Sequence, residues 1–97
     1  MFGTVYRMSV KPGKKDELVR LMTDEGGRKV KGMRSAYVYD TGGNELWGVA
    51  VFDDEKTYRE NAADPAQDTW YRGVRELLAA DPEWHDGAIT PWPGNRG

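Results

Sequence analysis

The sequence contains no cysteine and a single histidine, His85. The first absence removes disulfides, thiolate metal ligands and cysteine nucleophiles together. The second removes the ordinary zinc constellations, which need several imidazole or thiolate ligands. No metal site and no other cofactor is expected. Nor is there an excess of basic charge, because 14 Lys and Arg stand against 16 Asp and Glu, a formal net charge of -2. No nucleic-acid partner is implied, and the cluster Arg28, Lys29, Lys31 and Arg34 reads as a solvated loop. No apolar run approaches membrane-spanning length, and residues 1–4 lack the basic start and apolar stretch of a signal peptide. The expectation is a cytoplasmic protein with no membrane partner.

What is present is enough for one domain spanning residues 1–97, with 38% hydrophobic and 31% charged residues. Residues 2–10 read as a strand with Tyr6, Met8 and Val10 on one face and Val5 on the other. The turn signal Lys11-Pro12-Gly13 follows, and Leu18, Leu21, Met22 and Glu25 then recur at helical spacing until Gly26-Gly27. Residues 33–40, rich in Tyr and Val, and residues 45–52 form two strands about the hairpin-like Thr41-Gly42-Gly43-Asn44. These two strands are expected to form the middle of a sheet.

Asp53-Asp54-Glu55 places negative charge where a helix N-terminus favours it, with Tyr58 and Ala62 facing inward. Asp64-Pro65-Ala66-Gln67 starts another helix, with an acid at the cap, Pro at the first helical position and Gln three residues after the cap. Its stripe is Trp70, Val74, Leu77 and Leu78, and Asp81-Pro82 ends it. A last strand covers about residues 84–90, before a Pro-rich tail that carries Trp92.

The order is β-α-β-β-α-β with the second helical segment broken in two. It predicts an α+β fold, a ferredoxin-like sandwich of a four-stranded antiparallel sheet with helices on one face. The strands are apolar on both faces: Leu46, Ala50 and Phe52 share one side of the third strand, and Trp47, Val49 and Val51 the other. Helices cover one side only, so the other predicts a homodimer formed sheet to sheet.

Several segments carry a family resemblance: Val10-Lys11-Pro12-Gly13-Lys14 after the opening strand, Gly32 before the second, Phe52 closing the third before an acidic helix start, and Asp64-Pro65 before the long helix. Together they resemble the antibiotic biosynthesis monooxygenase-like family of the dimeric α+β barrel superfamily, over about residues 2–92. The resemblance implies a homodimer whose two sheets close into an α+β barrel, with a pocket in each subunit between sheet and helices. It also implies oxidation of electron-rich polycyclic phenols by molecular oxygen without metal or flavin, using Asn, Trp and Tyr side chains. Asn61, Trp70 and Tyr71 lie in the corresponding segments, although not at the family's spacing. Haem-degrading relatives place an iron-ligating His on the long helix, where this chain has Tyr71.

The residues give their own candidates for chemistry. Trp70 is a core aromatic or a flat pocket wall. Tyr71 lies one step round the helix, where its phenol could hydrogen-bond a substrate oxygen or act as an acid with a lowered pKa. Asn61 has an amide that can donate to an enolate oxygen, or it is a helix-end residue. Tyr6, Tyr37 and Tyr39 come from strands, and those on the helix-facing side would line a pocket. His85, flanked by Glu83 and Asp86, is a base held by a carboxylate or an edge residue. Arg7 is an anion partner, or pairs with an acid across a dimer. Asn61, Tyr71 and His85 are therefore the catalytic candidates, and Trp70, Tyr6 and Tyr37 the substrate-binding ones. The function expected is a small cofactor-independent monooxygenase acting on an aromatic or polyketide-like molecule. An isomerase or cyclase on the same fold and a non-catalytic dimeric ligand-binding or stress-associated protein are the alternatives.

Overall fold

The computed structural model of the chain describes residues 1–23 and 30–92. The expected stop at Gly26-Gly27, Glu25, the Arg28-Lys29 part of the basic cluster and the tail beyond Trp92 lie outside the described residues. The elements run β1 (Phe2–Ser9), α1 (Lys15–Thr23), β2 (Met33–Gly42), β3 (Glu45–Phe52), α2 (Glu55–Ala62), α3 (Pro65–Glu76) and β4 (Glu83–Ala88). All strand pairs are antiparallel, so the ferredoxin-like α+β architecture is present.

The sheet order is β2-β3-β1-β4. This corrects the expectation that β2 and β3 form the middle of the sheet. The hairpin does pair them, with Gly42 opposite Glu45 and Gly43 at φ 60° in the two-residue turn. However, β1 takes the free side of β3 and leaves β2 at an edge, because it also pairs with β4.

Local chemistry sets the helix starts. Asp54 accepts from the Thr57 N–H at 2.8 Å, and Thr57 Oγ1 accepts from the Asp54 N–H at 3.4 Å, a reciprocal cap for α2. Asp64 accepts from the Ala66 N–H at 2.8 Å, and Pro65 occupies the first turn of α3. The spacing predicts a helix that runs on to Asp81-Pro82, whereas α3 ends at Glu76. The cause is competition from β1: Leu78 bridges Val10, the Lys11 N–H donates to the Leu77 carbonyl at 2.9 Å, and the Ala79 N–H donates to the Ser9 carbonyl at 2.8 Å. Leu77 and Leu78 remain buried.

The core lies between the sheet and the helices, where Met8, Val10, Leu18, Met22, Leu46, Val74, Leu77 and Leu78 cluster. It fills the end of the interface near α1 and the close of α3. Among the described residues, no helix covers the other sheet face. Register puts Val5 opposite Val49, Tyr37 opposite Val49 and Tyr39 opposite Trp47, so these side chains share that face with Val51. Tyr37 and Tyr39 are 65% and 62% exposed. One corner of the face is charged: Arg7 reaches Glu83 at 2.9 Å and Glu45 at 3.5 Å. Arg7 thus pairs within its own chain and points away from the helices. Among the described residues, no helix is long and apolar enough to cross a membrane.

Candidate active site

Small residues on the helix-facing side of the sheet leave the interface unfilled beside the core. Ala36 of β2 pairs with Ala50 of β3, which pairs with Thr4 of β1, so three short side chains lie in a row across the sheet. Above them lies a cavity of about 740 Å³, bounded by α2 and α3. That is ample for a small molecule of several fused rings.

One side of the cavity is aromatic. The Tyr6 and Trp84 rings lie 4.7 Å apart between centroids, and Tyr71 approaches Trp84 at 6.2 Å. Tyr6 and Trp84 are register partners on adjacent strands, so the sheet fixes this pair. Trp70 lines the cavity and also packs on the core. Its indole N–H is buried and has no hydrogen-bond partner, a state that costs free energy unless something offsets it.

The other end is polar. Tyr58 of α2 donates its phenol hydrogen to Asp86 Oδ1 of β4 at 2.8 Å, and Arg59 Nη1 stands 3.7 Å from Asp86 Oδ2. Burial, then the hydrogen bond to the Asp86 carboxylate, pushes the Tyr58 pKa up to about 12. Thr4 lies beside the phenol; its side-chain oxygen is buried and reaches no partner at hydrogen-bonding geometry, although it slightly favours the phenolate. The Tyr58 ring is held by Phe2 at 5.3 Å and Phe52 at 5.4 Å.

Asn61, near the end of α2, also lines the cavity, and its amide makes no hydrogen bond to a described residue. The structure therefore brings Asn61, Trp70, Tyr71 and Tyr6 to one pocket. Tyr71 differs from expectation in one respect. Burial, then the nearby Asp81 carboxylate, raises its pKa, so it is a held proton donor and not an acid with a lowered pKa.

His85 does not join this group. It pairs in register with Val5 on the opposite sheet face, where Nε2 lies 3.0 Å from Glu83 Oε1. Tyr37 borders the cavity, but its register partner Val49 places its side chain on the open face. Sequence reasoning missed Tyr58, Asp86, Thr4 and Arg59. The sequence marks Tyr58 only as an inward-facing helix residue, and alternation from Trp84 puts Asp86 on the pocket side. Among the described residues, no group of three or more His, Cys, Asp or Glu side chains is placed to hold a metal ion.

No family model matches the chain, and no curated protein matches it. Solved structures do. A monooxygenase of Streptomyces coelicolor, from the gene ActVA-Orf6 and in complex with the ligand nanaomycin D, is 29% identical, with 94% of this chain and 92% of that chain covered and a TM-score of 0.77. A mutant of SnoaB, a cofactor-independent oxygenase from Streptomyces nogalater, is 16% identical over 97% of each chain with a TM-score of 0.82. A candidate antibiotic biosynthesis monooxygenase from Chloroflexus aurantiacus is 24% identical over 96% of each chain with a TM-score of 0.78. The structural neighbours are thus antibiotic biosynthesis monooxygenase-like proteins, and this chain has their fold.

Proposed function

We propose that the protein is a cofactor-independent monooxygenase of a small aromatic or polyketide-like phenol. The observation that carries this reading is the cavity itself. It is open, aromatic along one wall and polar at one end, whereas a protein using these aromatics only as core would have a filled interface. The likeness to an oxygenase described as cofactor-independent and to a monooxygenase with a bound ligand supports the reaction class.

In this reading the substrate ring lies over Ala36 and Ala50 against the Tyr6, Trp84 and Trp70 side. Its hydroxyl loses a proton toward Asp86 by way of the Tyr58 phenol. Asp86 has Tyr58 as its close partner, whereas the other carboxylate of the cavity, Asp68, is held by Arg72 at 2.9 Å. The Asn61 amide and the Tyr71 hydroxyl donate to the resulting phenolate oxygen, and Arg59 balances its charge. The phenolate then gives electrons to molecular oxygen. One oxygen atom forms a new bond to a ring carbon, and loss of water leaves a quinone, so phenol and O2 give quinone and H2O.

The working unit in this proposal is a homodimer joined by the open sheet faces into an α+β barrel, since Val5 is exposed and Trp47, Val49 and Val51 are only half-buried in the single chain. A thermal-shift screen of planar phenols, followed by oxygen uptake with each hit, tests the function. Uptake with quinone formation is expected. Turnover of a hit without oxygen consumption would replace the oxygenase by an isomerase or cyclase, and binding without turnover would leave a ligand-binding protein.

A further inference from the structure

We infer that Tyr58, oriented by Asp86, is the group that selects a ligand carrying a hydroxyl at the polar end of the cavity. This rests on the reading of the cavity as a binding site for a phenol and adds the residue that discriminates a hydroxyl from an ether oxygen.

The argument is one of hydrogen-bond inventory. A tyrosine hydroxyl has one hydrogen and lone pairs. The hydrogen of Tyr58 is committed to Asp86 Oδ1 at 2.8 Å, and the pKa pushed up to about 12 keeps that hydrogen in place at neutral pH. What the phenol offers the cavity is therefore an acceptor. The Asp86 carboxylate adds only further acceptors, and its second oxygen faces Arg59 at 3.7 Å.

Thr4, only 5% exposed, has its hydroxyl beside the Tyr58 phenol, where it slightly favours the phenolate, and reaches no partner at hydrogen-bonding geometry among the described residues. The floor of this end thus carries a buried polar group whose hydrogen bonding the protein alone leaves incomplete. A ligand O–H donating to Tyr58 extends a chain of hydrogen bonds that ends on Asp86. A ligand whose oxygen has no hydrogen sets lone pair against lone pair at the same place. The ring of Tyr58 is fixed between Phe2 and Phe52, so it cannot readily turn away from that mismatch.

The test uses 2-naphthol and 2-methoxynaphthalene, which share a ring and differ in whether the oxygen carries a hydrogen. Dissociation constants for both are measured by quenching of protein fluorescence, for the wild type, Tyr58→Phe and Asp86→Asn. Tyr58→Phe keeps the ring contacts and removes the acceptor. Comparing the ratio of the two constants between proteins cancels ring burial. In Tyr58→Phe the preference for the naphthol is expected to fall about 5–10-fold relative to wild type, the effect of one net hydrogen bond. In Asp86→Asn the amide oxygen can still accept from the phenol, more weakly than a carboxylate, so a smaller loss of preference than in Tyr58→Phe is expected.

An unchanged ratio in Tyr58→Phe overturns the inference even if oxygen uptake is found. A changed ratio with no oxygen uptake for any phenol supports the inference while removing the oxygenase. Failure of both probes to bind the wild type up to their solubility limits overturns the inference together with the aromatic-site reading. Circular dichroism of each variant establishes that the comparison is between folded proteins.

Discussion

The ring of Tyr6 lies over the backbone of Gly48, its register partner on β3, so closely that a Cβ at residue 48 would overlap the ring. The glycine is what lets the ring lie flat beside Trp84 and hold one side of the cavity open. Gly48→Ala is expected to destabilise the protein by about 1–3 kcal/mol through overpacking. At about 4–8 °C per kcal/mol for a domain of this size, the fall in Tm is readily measured. Tyr6→Ala in the same chain should relieve most of that added loss, so the two substitutions should be strongly non-additive. Additive losses in the thermal melts would show that the ring and the glycine do not constrain each other.

Asn61 and Tyr71 separate chemistry from packing. If their donors stabilise the phenolate, Asn61→Ala and Tyr71→Phe should each lower turnover by about 10²-fold with little change in Tm. The substrate is the phenol found in the screen. Full activity in both folded variants would remove them from the mechanism. His85→Ala, on the other sheet face, should leave turnover unchanged.

The open face predicts association. Sedimentation should show a dimer at micromolar concentration, with an interface upwards of about 2,000 Å² in total, as usual for obligate pairs. Val49→Lys should yield monomers, because the face would then bury an unpaired charge. Trp92 is 77% exposed in the single chain. If the tail docks on the dimer, truncation after Thr90 should lower the Tm or weaken association, and unchanged melting and assembly would show the tail to be dispensable.

Acid should unfold the protein by a definable route. Asp54 is held below its usual value by the Thr57 backbone N–H, Asp40 by Lys15, Glu45 by the Trp47 indole and Glu83 by Arg7. Each lowered carboxylate contributes stability that is complete above its unfolded pKa, about 4, and is lost as pH falls through its folded value. Tyr58 acts in the opposite sense. Its contribution is complete below about pH 10, the unfolded value, and is lost as pH rises toward about 12. Melting temperatures should therefore decline below about pH 4. An ultraviolet titration should show a late tyrosine that is absent from Tyr58→Phe.

What local chemistry dictates was legible in the sequence. Asp54 and Asp64-Pro65 announced two helix starts, and β3 occupies the apolar run that follows the hairpin-like residues 41–44. Asn61, Trp70 and Tyr71 were singled out through the family resemblance, and Tyr6 as a strand tyrosine; all four line one cavity. The failures share a different cause, which is long-range pairing. Nothing near β2 says that β1 will take the far side of β3, and nothing near Leu78 says that Val10 will draw it out of the helix. Tyr58 and Asp86 meet across 28 residues of chain, and their bond depends on how α2 lies over the sheet.

The unequal halves of the open sheet face limit how copies can associate. Arg7, Glu45, Glu83 and His85 occupy one corner, while Tyr37, Tyr39, Val49 and Val51 form a separate apolar field. A copy sliding along the face, or stacking by translation, would press the charged corner onto apolar side chains and strand it from water. In the proposed homodimer a twofold arrangement would let field meet field while both corners keep to the rim. Such a contact would use up the face in a single event and leave nothing on that side for a third copy to stack upon.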